Sequence, residues 1–250
     1  GKEFANLVRG LWNSWKMGAF IQDKKSGIFF DKEKLNILEF EGEFFRARGP
    51  INVPPSPQGE PVLVQAGASN EGRELAAETA EVVFGAQQTL EGAKEFYADV
   101  KQRMKNYDRH SESIKIMPGL LVCVGQTNEE AKEKYKKLQE LIDPVSGLQL
   151  LSKRLDFDLT GYSINEPLPE IPPNKISSSR VELFVEIAKR ENLSIRDLYR
   201  RIAGARGHYE IIGSYNEVVD MMELWFKEKA CDGFNIMPPV FPDSLSDFVE

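Results

Sequence analysis

Cysteine and histidine are scarce in this sequence, two of each in 250 residues, and that scarcity removes whole classes of chemistry. Cys123 and Cys231 stand far apart in apolar, strand-like surroundings, so they read as packing residues rather than a disulfide, a metal pair or a redox couple. That usage fits a cytoplasmic protein. No metal-ligand cluster is spelled out around His110 or His208, and there is no nucleophile elbow or Ser-His-Asp arrangement. No apolar run approaches the roughly 18 residues of a membrane span, and the first residues lack a signal-peptide pattern. A basic tract interleaved with aromatics is also missing: 32 Lys and Arg face 39 Asp and Glu, a net charge of -7, which argues against a nucleic-acid partner. An initial Met is absent too, and the chain opens inside a helical periodicity of Phe4, Leu7, Val8, Leu11 and Trp15. It is therefore expected to be a portion of a longer polypeptide.

What is present is ordinary globular material, 41% hydrophobic and 28% charged, enough for a sizeable core. Residues 20 to 60, rich in aromatics and turn residues and ending in Pro50, Pro54, Pro55 and Pro57, predict loop or short hairpin. From Pro61 the pattern alternates. A strand to Ala66 precedes a helix carrying Leu75 and Ala76, and the strand Glu81 to Phe84 precedes a helix capped by Thr89. The run from Ile114 to Val124 precedes a helix opened by the capping box Thr127 and Glu130. Alternation of this kind predicts a parallel sheet covered by helices. It then breaks over residues 125–208 into a helical excursion with a proline-rich middle, closed by Gly204-Ala205-Arg206-Gly207-His208. A strand from Tyr209, a helix behind the Ser214 and Glu217 box, and a last strand Gly233 to Met237 follow. About four or five strands can be placed, and a complete (β/α)8 barrel needs eight. Half of such a barrel with a helical lid, within one domain 1–250, is the architecture expected.

The segment Pro61 to Ser69 carries the clearest chemistry. A buried-type strand ends in Gly67-Ala68-Ser69 and runs straight into a helix: Gly67 permits a tight turn, Ala68 leaves room for a ligand, and the free N–H groups of the helix start suit an anion. Ser69 is a natural N-cap, so its hydroxyl either serves the helix alone or also meets a phosphate.

The blocks Val64-Gln65-Ala66-Gly67-Ala68-Ser69, Glu81 to Thr89, Ala203 to His208 and Asp232 to Pro239 resemble the bacterial luciferase-like flavin monooxygenases, within them the nitrilotriacetate monooxygenase group. The resemblance covers nearly all of the chain. It implies a TIM-barrel enzyme of a two-component system, in which a partner flavin reductase supplies reduced FMN, O2 is the oxidant and a small organic substrate is oxygenated. A homodimer is usual in the family. Gly67, Ala68 and Ser69 would then lie at the FMN phosphate. His208 would enter the site as a catalytic or substrate-facing group, or else lie at a strand edge. Gln87 or Gln88 would face the pocket or cap the Thr89 helix, and Arg206 would meet an anionic substrate or a surface carboxylate. Met237-Pro238-Pro239 would form an apolar wall or simply stop the strand, and no metal is called for. Two other readings stay open: a deazaflavin-dependent oxidoreductase on the same barrel, and a non-catalytic half-barrel subunit.

Overall fold

Residues 1–176 and 178–250 are described in a computed structural model. Helix α1 (Lys2–Trp12) leads into two small antiparallel ribbons, β1 (Phe20–Asp23) with β2 (Ile28–Phe30) and β3 (Phe40–Glu41) with β4 (Arg46–Ala47). Trp15 organises this aromatic-rich stretch. The rings of Phe20 and Phe30 lie 4.7 and 5.1 Å from it, and its Nε1–H donates to the Ile51 carbonyl at 2.7 Å. A buried indole thus keeps its polar edge satisfied.

The alternating part follows as β5 (Val64–Ala66), α2 (Asn70–Thr79), β6 (Val82–Gly85), α3 (Leu90–Arg103), β7 (Lys115–Gly125) and α4 (Asn128–Glu140). Three helices come next, α5 (Pro144–Leu155), α6 (Ser179–Arg190) and α7 (Ile195–Ala205), then β8 (Tyr209–Ser214), α8 (Tyr215–Lys227), β9 (Asn235–Met237) and α9 (Asp243–Val249). Strands β5 to β9 form one five-stranded, wholly parallel sheet. The long strand β7 is its axis. Its first residues pair with β6 as far as Gly85↔Pro118, and Gly119↔Asn235 begins the pairing with β9. Leu120 has Tyr209 of β8 on one edge and Ile236 of β9 on the other. Pro118 falls at this change of partners, where a missing N–H disturbs the ladder least.

The expected strand starting at Pro61 is shorter, because Leu63 is held by side-chain and turn bonds instead: its N–H donates to the Glu81 carboxylate at 3.0 Å and its carbonyl accepts from Glu81 and Val82. The final strand likewise begins at Asn235, not Gly233, and α9 was not anticipated. Both capping boxes hold their N-caps. Glu217, however, sends its carboxylate to Asn128 Nδ2 at 2.7 Å, while Asn128 Oδ1 accepts from the Ser214 N–H at 2.7 Å, so the starts of α4 and α8 are tied together.

Two kinds of core result. Under the sheet, Val83, Ile114 and Ile116 pack on Ala76, Ala77, Phe96 and Val100, and Leu120, Val122 and Val124 pack on Val218. Cys123 and Cys231 are buried free thiols. Helices α5 to α7 instead bury Leu151, Leu155, Phe184, Ile187, Leu198 and Tyr199 among themselves. Each such side chain contributes about 1.5–3 kcal/mol by leaving water, so the helical group has a core of its own. Among the described residues no helix is long and apolar enough to cross a membrane.

Candidate functional site

The turn after β5 is set by Gly67, at φ 152°, and by the helix it feeds. Ser69 caps α2, its Oγ accepting the Gly72 N–H at 3.1 Å. One turn along, Arg73 reaches back: its Nε donates to the Ala68 carbonyl at 2.8 Å, its Nη1 to Asp99 Oδ2 at 2.9 Å, and its guanidinium lies 5.1 Å from the Phe96 ring centre. The backbone N–H groups of the turn are thereby fixed in direction, and the positive end of the α2 dipole lies behind them.

Beside this turn, β6 ends in Phe84-Gly85-Ala86. The Phe84 ring stacks on His208, with centroids 4.9 Å apart and planes at 28°. Gly119 also lies against the imidazole, where a Cβ would come within 2.5 Å of His208 Nδ1. The ring fits because β7 has no side chain there. His208 is 5% exposed and its Nδ1 is a buried nitrogen without a partner. Burial first, then the charge of Arg180, holds its pKa below the usual histidine value, with hydrogen bonding to the Gly85 backbone acting the other way. The imidazole is neutral at physiological pH and able to accept or pass a proton.

The loop that presents His208 is held from several sides. Gln88 Nε2 donates to the Gly207 carbonyl at 2.6 Å, and Arg201 Nη2 reaches Gln88 Oε1 at 3.5 Å. Arg201 also pairs with Glu191 at 2.8 Å and with buried Glu210 at 3.4 Å, whose other oxygen accepts from Tyr135 at 3.0 Å. Burial pushes the Glu210 carboxyl up to about 6 even with Arg201 and Tyr135 opposing it.

These pieces line one cavity of about 420 Å³: Gly67, Ala68 and Arg73 on one wall, Phe84 to Ala86 and His208 at the back, and Arg180, Glu182 and Leu183 of α6 opposite. That volume suits a cofactor or small-molecule site, for which about 300–1,000 Å³ is usual. The structure therefore brings Gly67, Ala68 and His208 together, with Ser69 alongside as the cap. It does not bring Arg206 to them. Arg206 is the left-handed residue closing α7, is exposed, and lines a separate depression with Tyr135, Gln139 and Met237 to Pro239. Gln87 lies outside the cavity lining, and the neighbouring Gln88 is the one that bonds across to Gly207. His110 is exposed and caps a short turn. Among the described residues no cluster of His, Cys, Asp and Glu is placed to hold a metal ion.

The sequence gives no sign that Phe84, Arg73 and Arg180 line this cavity, or that Gly119 makes room for His208 behind it. Phe84 looks like strand core and Gly119 like punctuation after Pro118. Arg180 looks like an ordinary charge at the start of a helix, and only the packing of α6 against the Gly207 turn gives it a direction.

The family model for luciferase-like monooxygenases matches residues 1–176. The chain belongs to that family. Luciferase-like relatives match over its whole length: it is 47% identical to N-acetyl-S-(2-succino)cysteine monooxygenase of Bacillus subtilis, covering 100% of this chain and 57% of the relative. It is 50% identical to nitrilotriacetate monooxygenase component A of Aminobacter aminovorans, covering 99% and 55%. The crystal structure of a riboflavin lyase with modified FMN and riboflavin aligns with a TM-score of 0.79 at 28% identity, over 100% of this chain and 54% of that one. The chain thus spans a little over half the length of the curated relatives it matches. Its parallel sheet under helices is the luciferase-like α/β fold.

Proposed function

We propose that the protein is the oxygenase of a two-component flavin monooxygenase, taking reduced FMN from a separate reductase and oxygenating a small organic substrate. In this reading the five-stranded sheet is the C-terminal portion of a TIM barrel, residues 1–250 are one domain, and the helices within 125–208 form a lid over its functional end. A cytoplasmic homodimer is the assembly that goes with it.

The observation that carries the reading is the convergence of the Gly67–Ala68 turn, the Phe84–His208 stack and α6 on one cavity. The residues fit the cofactor at both ends of its chemistry. Fixed N–H groups at the start of α2, with the Ser69 hydroxyl beside them, suit a phosphate, and the apolar stack beyond suits a ring system. FMN, when bound, supplies the oxygen chemistry. The chain's own residues bind its phosphate at Gly67 to Ser69, keep water from the back of the cavity with Phe84, and hold an uncharged imidazole at His208 that can take or return a proton.

A fluorescence titration of the protein with FMN, oxidised and reduced under anaerobic conditions, tests this. Saturable binding is expected. Binding of neither form, or saturable binding of a deazaflavin in place of FMN, contradicts it.

A further inference from the structure

The two arginines of the cavity are not equivalent. Arg73 is spent on the protein: Ala68, Asp99 and Phe96 occupy its Nε, its Nη1 and its face. Arg180, in the first turn of α6, forms no ion pair among the described residues. Its Nη1 donates to the Arg206 carbonyl at 2.7 Å, which fixes the guanidinium while leaving Nε and Nη2 without a hydrogen-bond partner among the described residues. The fixing depends on Gly207, whose φ is 84°. A Cβ there would come within 3.2 Å of Arg180 Nη1 and 2.8 Å of Phe184, so a side chain would push the guanidinium off the turn as well as strain the backbone. The acids nearby do not neutralise it. Glu186 pairs with Arg190 at 3.5 Å, and Glu182 sits in the first turn of α6, where an acid complements the helix dipole.

We infer that Arg180 is the second half of the phosphate grip, so that the cofactor's phosphate is held between backbone N–H groups of the sheet wall and a guanidinium delivered by the helical wall. This rests on the flavin reading above and adds to it a residue and a consequence. A planar guanidinium with its Nε–Nη2 edge open matches two phosphate oxygens at once. Because it is already anchored to Arg206, less side-chain freedom is lost on binding. The phosphate then bridges two walls that the protein itself joins sparingly, and cofactor binding fastens α6 to the end of β5.

FMN and riboflavin differ by the phosphate alone and so separate this claim from general effects on folding. Titrations of both ligands into the wild-type protein, Arg180→Gln and Arg180→Lys are compared, with melting curves for each variant. Wild type is expected to bind FMN more tightly than riboflavin. Arg180→Gln should lose roughly tenfold or more in FMN affinity, the size of a charge-assisted contact, with riboflavin affinity unchanged, and Arg180→Lys should recover part of the loss. Equal weakening of both ligands in Arg180→Gln would mean that the residue acts through structure, and the inference falls. If FMN still outbinds riboflavin in Arg180→Gln by the wild-type factor, the phosphate is held without Arg180; the inference falls and the flavin reading stands. If the wild-type protein binds neither ligand, both fall together.

Discussion

The two walls of the cavity are built differently. On the sheet side the charged groups behind the turn form one network: Arg73 with Asp99, Arg103 with Asp99 at 2.9 Å, Glu74 at 2.7 Å and Asn70 at 2.8 Å, and Tyr107 with Glu74 at 2.7 Å. On the helical side α5 to α7 pack round their own apolar core. That core meets the sheet through a few polar ties, among them Gln88 to Gly207 and Arg201 to Glu210. The contrast predicts that one wall is pre-set and that the other moves as a unit. A network whose members are all satisfied resists deformation, whereas a body with its own core and few cross-links opens at lower cost than the whole protein unfolds.

The largest test of this contrast is Phe184→Ala. Phe184 is 1% exposed and central to the helical core, so its loss should cost about 3–5 kcal/mol. If the two walls are separate bodies, hydrogen exchange will quicken throughout α5 to α7 and stay near wild type in β6 and β7. Uniform quickening would dissolve the distinction.

Next in size is the tie at Glu210. Its folded-state pKa of about 6 lies above the ordinary 4.5, so the folded protein holds this proton more tightly than the unfolded chain. The resulting stability is complete below about 4.5 and is lost as pH rises through about 6, on the order of 2 kcal/mol in all. Urea melts across that range should show the decline in wild type and a flatter profile in Glu210→Gln. An identical slope in both would remove Glu210 from the account.

The smallest effect on stability, and the sharpest on the sheet wall, is expected for Ser69→Asp. Aspartate caps a helix about as well as serine, so the melting curve should hardly move. A carboxylate beside the phosphate should still weaken FMN by roughly tenfold through like-charge repulsion. Unchanged FMN affinity would place the phosphate away from Ser69.

Much of the fold was legible because it rests on local rules. The caps at Ser69, Thr89, Thr127 and Ser214 and the apolar residues that follow them mark the starts of these helices within a few residues. The Gly67 turn was legible for the same reason, as strand, small residues and cap are contiguous. The rest of the cavity depends on long-range placement. Nothing near Phe84 in sequence announces that His208 will stack on it, and nothing near Gly119 announces that an imidazole needs its space. Arg206 and Arg180 illustrate the limit well. The arginine two residues before the histidine turns outward as a helix cap, and Arg180, 28 residues before the histidine, lines the cavity.

The position of the phosphate is the most direct test of the whole account. In a crystal of the protein grown with FMN, the phosphate is predicted between the Gly67–Ala68 turn and Arg180, with the ring system toward Phe84 and His208. Phosphate density elsewhere, such as in the depression between Tyr135 and Pro239, would contradict it.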